Sequence, residues 1–438
     1  MKVSSLFKNK IVKNTGWLVG GKIAQMALSL AVGALSARYL GPSNYGLINY
    51  GSALTAFFMS LCTLGINSVI VKELIDNPDE QGTALGSALL LRILSSFCSA
   101  ILVVAVSFVL DYGKWETIAV VTLCSISLIF HALDTLNYWF LAQYKSKVTA
   151  IATFIAYAVT AAYKIILLIL GKSVLWFAFA TSVDYIVLGI VLIIAYKKYG
   201  GTKFRFSLQK GKSILSKSYH YILSGLMVSI YGHTDKLMLK HMLSEADVGY
   251  YSVATTICRM WTFVLTAIID SMYPSIVQAY EMDKEQFERR NRQLYAIVFY
   301  ASFFVAVCFL LLGDIIIKLL YGPEYVLASA PLKVVTWYTA FSFLGVARSA
   351  WMVCNNKQKY LKYMYVPAII INVAMNYLMI PLWGATGAAA ASLITQICTS
   401  ILLPLCVKDL RPNAKLMLEA IILKDVFPGK SAKKTMEE

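Results

Sequence analysis

Residues 229–239 read SIYGHTDKLML, with YILSGLMV (221–228) before them and KHML (240–243) after. His233, Asp235 and Lys236 thus interrupt a run that is otherwise apolar and long enough to cross a bilayer. An ionisable group at a bilayer centre costs about 2.5–3.5 kcal/mol on insertion scales, so it is rare there without a role. Whether the run is a membrane helix decides the fold, and the rest of the chain answers that. Of 438 residues, 58% are hydrophobic and only 14% charged, where a soluble domain carries roughly 25%. Mean hydropathy is +0.66. From Val19 to Val407 apolar runs follow one another with short polar breaks, each of the roughly 20 residues that span a hydrocarbon core as a helix. The composition describes an all-α polytopic membrane protein and excludes a soluble core.

Twelve spanning helices are expected, at 14–39, 46–71, 84–110, 117–140, 148–170, 174–196, 218–242, 249–273, 292–312, 328–353, 361–381 and 386–407. The organisation predicted from them is an N-terminal six-helix lobe over 1–196 and a basic cytoplasmic linker over 197–217. A C-terminal six-helix lobe over 218–407 and a basic cytoplasmic tail over 408–438 complete it. The start, MKVSSLFKNKIVKNTGW, is basic and amphipathic, and the first apolar run is too long for a cleavable signal. LMLEAIIL in the tail reads as a short amphipathic helix.

The net charge of +17 is distributed by topology. Residues 197–218, KKYGGTKFRFSLQKGKSILSKS, hold seven cations and no acid. Further cations lie in the N-terminal lead, YKSK (144–147), NNKQKYLK (355–362) and the tail, while the alternate breaks are short and cation-poor. That alternation is the positive-inside pattern and places both termini in the cytoplasm. The basic charge faces headgroups and sets orientation, which leaves nucleic acid without support as a partner. Eight cysteines fall in or beside apolar runs with no metal-ligand spacing, and read as small buried apolar residues.

LGPSNYGLINYGSA (40–53) and LSEADVGYYSVATT (243–256) occupy the same point of each six-helix half, with Leu40 and Gly46 matching Leu243 and Gly249. Internal repeats of this kind are common in transporters, whose substrate site lies between the repeats.

At 3.6 residues per turn the embedded polar groups form faces. The first helix carries Lys22, Gln25, Ser29 and Ser36. His131, Asp134 and Tyr138 share a face of the fourth, and Asp184 lies in the sixth. On the seventh, Ser229, His233, Lys236 and Lys240 form a stripe beside Asp235. The eighth shows Ser252, Thr255, Arg259, Thr262, Thr266 and Asp270, the tenth Arg348, and the eleventh Asn372 with Asn376. Each has a plainer explanation. Ser and Thr can bond back to their own helix, and Arg92, Lys164 and Lys240 are close enough to helix ends to snorkel. Asp134 with Arg259, or Asp235 with Lys236, reads equally as a structural pair or a coupling site, and His233 as a packing group or a proton carrier. As a set, however, Lys22, His233, Lys236, Arg259 and Arg348 lie away from helix ends and outnumber Asp134, Asp184 and Asp235, and uncompensated buried charge is costly. The excess implies a water-filled cavity, an anionic ligand, or both. With no phosphate-binding glycine loop, no Asp-x-Asp loop and no extramembrane domain, transport is expected rather than catalysis, with no cofactor and no metal.

In its ordered segments the chain resembles the polysaccharide transporters, the O-antigen flippase (Wzx-type) branch of the multidrug/oligosaccharidyl-lipid/polysaccharide superfamily. The segments are ARYLGPSNYGLINYGSAL (37–54), GINSVIVKEL (65–74), DKLMLKHMLSEADVGYYSVATTI (235–257), MYPSIVQAYEMDKEQFERR (272–290), LYGPEYVLASAPLKV (320–334) and PLWGATGAAAASLIT (381–395). They run in family order to about Val407. The resemblance implies a two-lobed, V-shaped bundle whose first, second, seventh and eighth helices flank a central cavity. It implies as substrate an oligosaccharide on a polyprenyl (undecaprenyl) pyrophosphate, flipped across the bacterial cytoplasmic membrane by alternating access. Lys22, Gln25, Lys236, Arg259 and Arg348 would bind it, and Asp134, His233 and Asp235 would serve H+ or Na+ coupling or structural pairing. Asp235 matches an acidic position of the family; the preceding GHT does not carry over. A polysaccharide polymerase or assembly complex is an implied partner. The rival readings are an ion-coupled drug antiporter, a lipid II flippase, and a non-transporting scaffold of a glycan-assembly complex.

Overall fold

The structure, a computed structural model, describes residues 2–426, with side chains from residue 25 onward except at 68 and 362. The side chain of Lys22 and the tail beyond Val426 therefore lie outside the described residues. Among the described residues there is no strand, and seven helical stretches are long and apolar enough to cross a membrane. Their outward side chains are apolar, with Val109 79% and Leu311 70% exposed, a surface that suits lipid rather than water. This is a multi-pass membrane protein.

Two compact units divide the chain, Met1–His233 and Thr234–Glu438. In the first, α1 (Lys2–Phe57) turns a corner at Gly41, whose φ of 70° places it in the left-handed region. Pro42 follows, and it disfavours helical backbone in the residue before it; glycine supplies the conformation that replaces it. The expected span 46–71 is not one uninterrupted helix. It is shared among the end of α1, α2 (Met59–Thr63) and α3 (Asn67–Asp76), because Leu64 and Gly65 both take positive φ. A Cβ on Gly65 would lie 2.8 Å from the Ser218 carbonyl oxygen, so only glycine admits this approach. Then come α4 (Gln81–Leu110), α5 (Trp115–His131), α6 (Thr135–Ala142), α7 (Ser146–Ile169) and α8 (Val174–Lys198).

The linker is a short extended strap. Arg205 N–H donates to the Gly82 carbonyl (3.1 Å) and Ser207 N–H to Ser87 Oγ (3.0 Å), which pins it to the start of α4. Helix α9 (Leu208–Met242) then begins ten residues ahead of its expected span. Its first turns belong to the first unit: buried Glu73 on α3 receives Lys210 (2.7 Å) and Lys217 (2.9 Å). Those two ammonium groups hold the Glu73 carboxyl below the ordinary carboxylate range, and Glu73 with Glu80 raises Lys210.

The second unit takes the end of α9, then α10 (Glu245–Met282), α11 (Lys284–Tyr321) and α12 (Ser329–Cys354). Helix α13 (Leu361–Ile397) holds the last two expected spans, bent between them at Gly384 (φ 59°). A widened, π-helical turn (Cys398–Leu402) leads into α14 (Leu403–Cys406). The expected tail helix is present as α15 (Arg411–Ile421), with Leu416, Met417 and Ala420 buried in the core shared with α11. Asn413 Nδ2 donates to Tyr295 Oη (2.6 Å), and Arg292 pairs with Glu419 (2.7 Å).

Candidate functional site

Asp235 is the centre of a buried polar cluster inside the second unit. It is 7% exposed, and its carboxylate accepts four hydrogen bonds. Tyr251 Oη (2.5 Å) and Ser392 Oγ (2.6 Å) donate to Oδ2. Asn376 Nδ2 (2.7 Å) and Asn372 Nδ2 (3.2 Å) donate to Oδ1. Two helices, α10 and α13, supply these donors to the acid on α9. Asn372 and Asn376 share a face of α13 at a separation of four. The bend at Gly384 folds the same helix back, so that Asn372 Nδ2 reaches Ser392 Oγ at 3.4 Å.

The cluster is rich in oxygen. Asn376 Nδ2 also donates to Asn372 Oδ1 (3.1 Å), while Asn376 Oδ1 is buried without a hydrogen-bond partner. A buried orphan acceptor beside a carboxylate suits a hard cation, which takes oxygen ligands. Among the described residues no group of three or more His, Cys, Asp or Glu converges for a metal, so such an ion would be held mainly by neutral oxygens.

The cations predicted for binding divide into different settings. Lys236, half-buried on α9, lies in the electrostatic field of both Asp235 and exposed Arg259 of α10. Arg348 is 2% exposed and does not present its charge to a ligand. Its Nη2 donates to the carbonyls of Thr399 (3.3 Å) and Ser400 (3.0 Å), and Nη1 to Thr399 and to Met364 Sδ. The wide turn frees those carbonyls from the helix ladder, and the guanidinium fork satisfies them. Lys240 is buried at 3% exposure, and His233 is half-buried.

In the first unit Gln25 lies beside Tyr157 of α7. Asp134 sits beside Arg92 and Asn137. Arg92, a candidate for snorkelling, is 0% exposed instead. Its Nη2 donates to His131 Nδ1 (2.8 Å) and to the His131 carbonyl (3.2 Å), while Nε and Nη1 are buried without partners. A guanidinium only donates, so His131 accepts through an unprotonated Nδ1. Lys164 and Asp184 line a cavity.

The plainer explanation holds for most of the hydroxyl stripe on α10. Thr255 donates to the Ser252 carbonyl, Thr262 to Arg259 and Thr266 to Thr262, each within its own helix. Tyr251 and Ser392 escaped the sequence reading for the same reason: a lone hydroxyl in an apolar helix carries no signal until its partner is known.

The family model described as polysaccharide biosynthesis protein matches residues 11–280, and the MatE model matches residues 221–378. Capsular polysaccharide biosynthesis protein CapF of Staphylococcus aureus is 22% identical over 398 residues, 88% of this chain and 96% of that protein. The "Putative O-antigen transporter" of Escherichia coli K12 is 19% identical, over 84% of this chain and 89% of its own. Among solved structures, the lipid II flippase MurJ in an inward closed conformation superposes with a TM-score of 0.74 at 16% identity, covering 93% of this chain and 91% of that one. An inward-facing MATE transporter of the MOP superfamily gives 0.66 at 15% identity, over 88% and 95%. Both show a shared fold.

Proposed function

From the premise that the chain belongs to the polysaccharide biosynthesis protein family, we propose that it is a flippase for a polyprenyl pyrophosphate-linked oligosaccharide. It acts as a carrier in the bacterial cytoplasmic membrane, with both termini inside, and works by alternating access. The observation that carries this reading is the placing of Lys236 near Arg259 in a membrane helix bundle. Like charges held together in a low-dielectric setting repel; Asp235 offsets part of that repulsion, and a pyrophosphate would relieve the rest through charge-assisted bonds. Arg259, being exposed, offers a planar fork for two phosphate oxygens. Lys22 and Gln25 are the contacts proposed from α1, and Arg348 is assigned to shaping the turn after α13. The relative named as an O-antigen transporter supports the substrate class.

Coupling is assigned to Asp235 and its oxygen cage, through exchange of a proton or Na+. The His131–Arg92–Asp134 cluster is assigned a structural role. The MatE match over 221–378 supports a second reading, an ion-coupled drug antiporter using the same cage. A translocation assay separates the two. In proteoliposomes a fluorescent polyprenyl pyrophosphate oligosaccharide is expected to cross with the wild-type chain and to slow at least tenfold with Arg259→Ala, at equal reconstitution. Equal rates in both would remove the cationic phosphate site. Efflux of a lipophilic cation, with no movement of the glycolipid, would establish the antiporter.

A further inference from the structure

The first unit contains a cavity of about 230 Å³ between α1, α7 and α8, and we propose that it binds a single uncharged pyranose ring. The proposal deepens the flippase reading and rests on it for the source of the sugar. Its size fits a one-ring ligand, since pockets for drug-sized molecules begin at about 300 Å³.

The lining chemistry selects the class. Ser29, Tyr157, Thr160 and Thr181 contribute hydroxyls, Lys164 an ammonium group and Asp184 a carboxylate. Lys164 and Asp184 lie in each other's field, so the wall carries both signs and favours neither a cation nor an anion. What remains is a close-set mixture of donors and acceptors. A polyol needs that mixture, because each of its hydroxyls both gives and takes a hydrogen bond. Thr160 Oγ1 already donates to Asp184 Oδ1 (3.4 Å), a long bond that leaves the carboxylate with acceptor capacity. Leu28, Val32 and Ala161 supply an apolar side for the C–H face of the ring, and the ring of Tyr157 adds an aromatic one.

Gly33 opens the space. A Cβ built on it meets no heavy atom within 4 Å, although the residue lines the cavity. Helix α1 is regular there, so glycine is not required by its backbone. Its missing side chain leaves that side of the cavity open.

That gives a clean test with the full-length chain in lipid nanodiscs. Saturation-transfer NMR would be recorded with methyl α-glucopyranoside, methyl α-galactopyranoside and N-acetylglucosamine, and with tetraphenylphosphonium and inorganic pyrophosphate as charged probes. At least one pyranoside is expected to give a transfer signal with the wild-type chain. The signal is expected to fall at least fivefold in Gly33→Leu, which intrudes on the cavity, and in Thr181→Val, which removes one hydroxyl at equal volume. It is expected to persist in Asp235→Asn. No signal from any of the three sugars, a signal unchanged in Gly33→Leu, or preferred binding of either charged probe at this site would overturn the proposal. Glycolipid translocation is measured on the same samples. Sugar binding without translocation by the wild-type chain sinks the flippase reading and leaves the site standing. Translocation that Gly33→Leu leaves intact, with no sugar bound, sinks the site and leaves the flippase reading standing.

Discussion

At the scale of the residue, Asp235 and Arg348 show how similar signals in a sequence lead to different structural positions. Both are charges deep in apolar helices. Asp235 accepts four side-chain bonds from two neighbouring helices, whereas Arg348 is committed to backbone carbonyls of one wide turn. Their variants should therefore separate function from stability. Asp235→Asn keeps the shape but turns an amide NH2 toward donors, at a cost of about 1–3 kcal/mol for the mispaired groups. It is expected to insert and fold, with the Na+ or pH dependence of transport abolished; a dependence equal to the wild type's would remove Asp235 from coupling. Arg348→Met orphans the Thr399 and Ser400 carbonyls, and the loss of charge-assisted bonds is expected to cost about 2–3 kcal/mol. A lowered thermal midpoint in detergent, with unchanged ion dependence in the surviving protein, is the expected result. The acid and the α13 asparagines were legible beforehand as embedded groups, the asparagines also as a shared face. Their meeting was not, since it depends on the bend at Gly384 and on two hydroxyls that no pattern marks.

At the scale of the element, the informative features are breaks. The corner at Gly41 was readable in LGPSNYG, because Gly-Pro forbids a straight helix. The break at Leu64–Gly65 was not, since an isolated glycine in an apolar run is compatible with continuous helix. What forces it is the close approach of α9, which the sequence places 150 residues away and which then binds α3 through Glu73. That latch has a defined response to pH. Glu73 is depressed by Lys210 and Lys217, so its contribution is present above its unfolded pKa and is lost as pH falls through the lower folded value. Lys210 is raised by Glu73 and Glu80, so its share is complete below its unfolded pKa and is lost only as pH rises through the higher folded value. Between those limits the contact should be constant. Glu73→Gln leaves Lys217, 54% exposed, without its carboxylate and Lys210 with Glu80 alone, so its cost is set by solvent screening as well as by the lost bonds. We expect about 1–2 kcal/mol, read as faster hydrogen exchange over 208–217 at neutral pH, and a difference from the wild type that shrinks at pH 3. An identical exchange rate at neutral pH would show that packing at Gly65 alone holds α9.

At the scale of the whole molecule, the distribution of charge makes a claim about sidedness that is independent of any substrate. Seven cations lie in 197–218, and a lysine or arginine costs more to translocate than to retain. The strap that carries several of them is fixed by backbone bonds to α4, with Phe204 46% exposed beside it. By contrast the α4–α5 connection holds Tyr112, 79% exposed, in a cation-poor break. The two sites should lie on opposite faces of the membrane. In a chain with the exposed Cys98 and Cys406 replaced by serine, Phe204→Cys is expected to react with a membrane-impermeant maleimide only after the cells are opened. Tyr112→Cys is expected to react in intact spheroplasts. The reverse pattern would invert the orientation and put the basic strap outside, against the charge rule. Equal labelling of both from outside would break the link between charge and topology on which the sidedness rests. The expected pattern puts the strap and the Glu73 latch on the cytoplasmic face. A flippase must be loaded from that face.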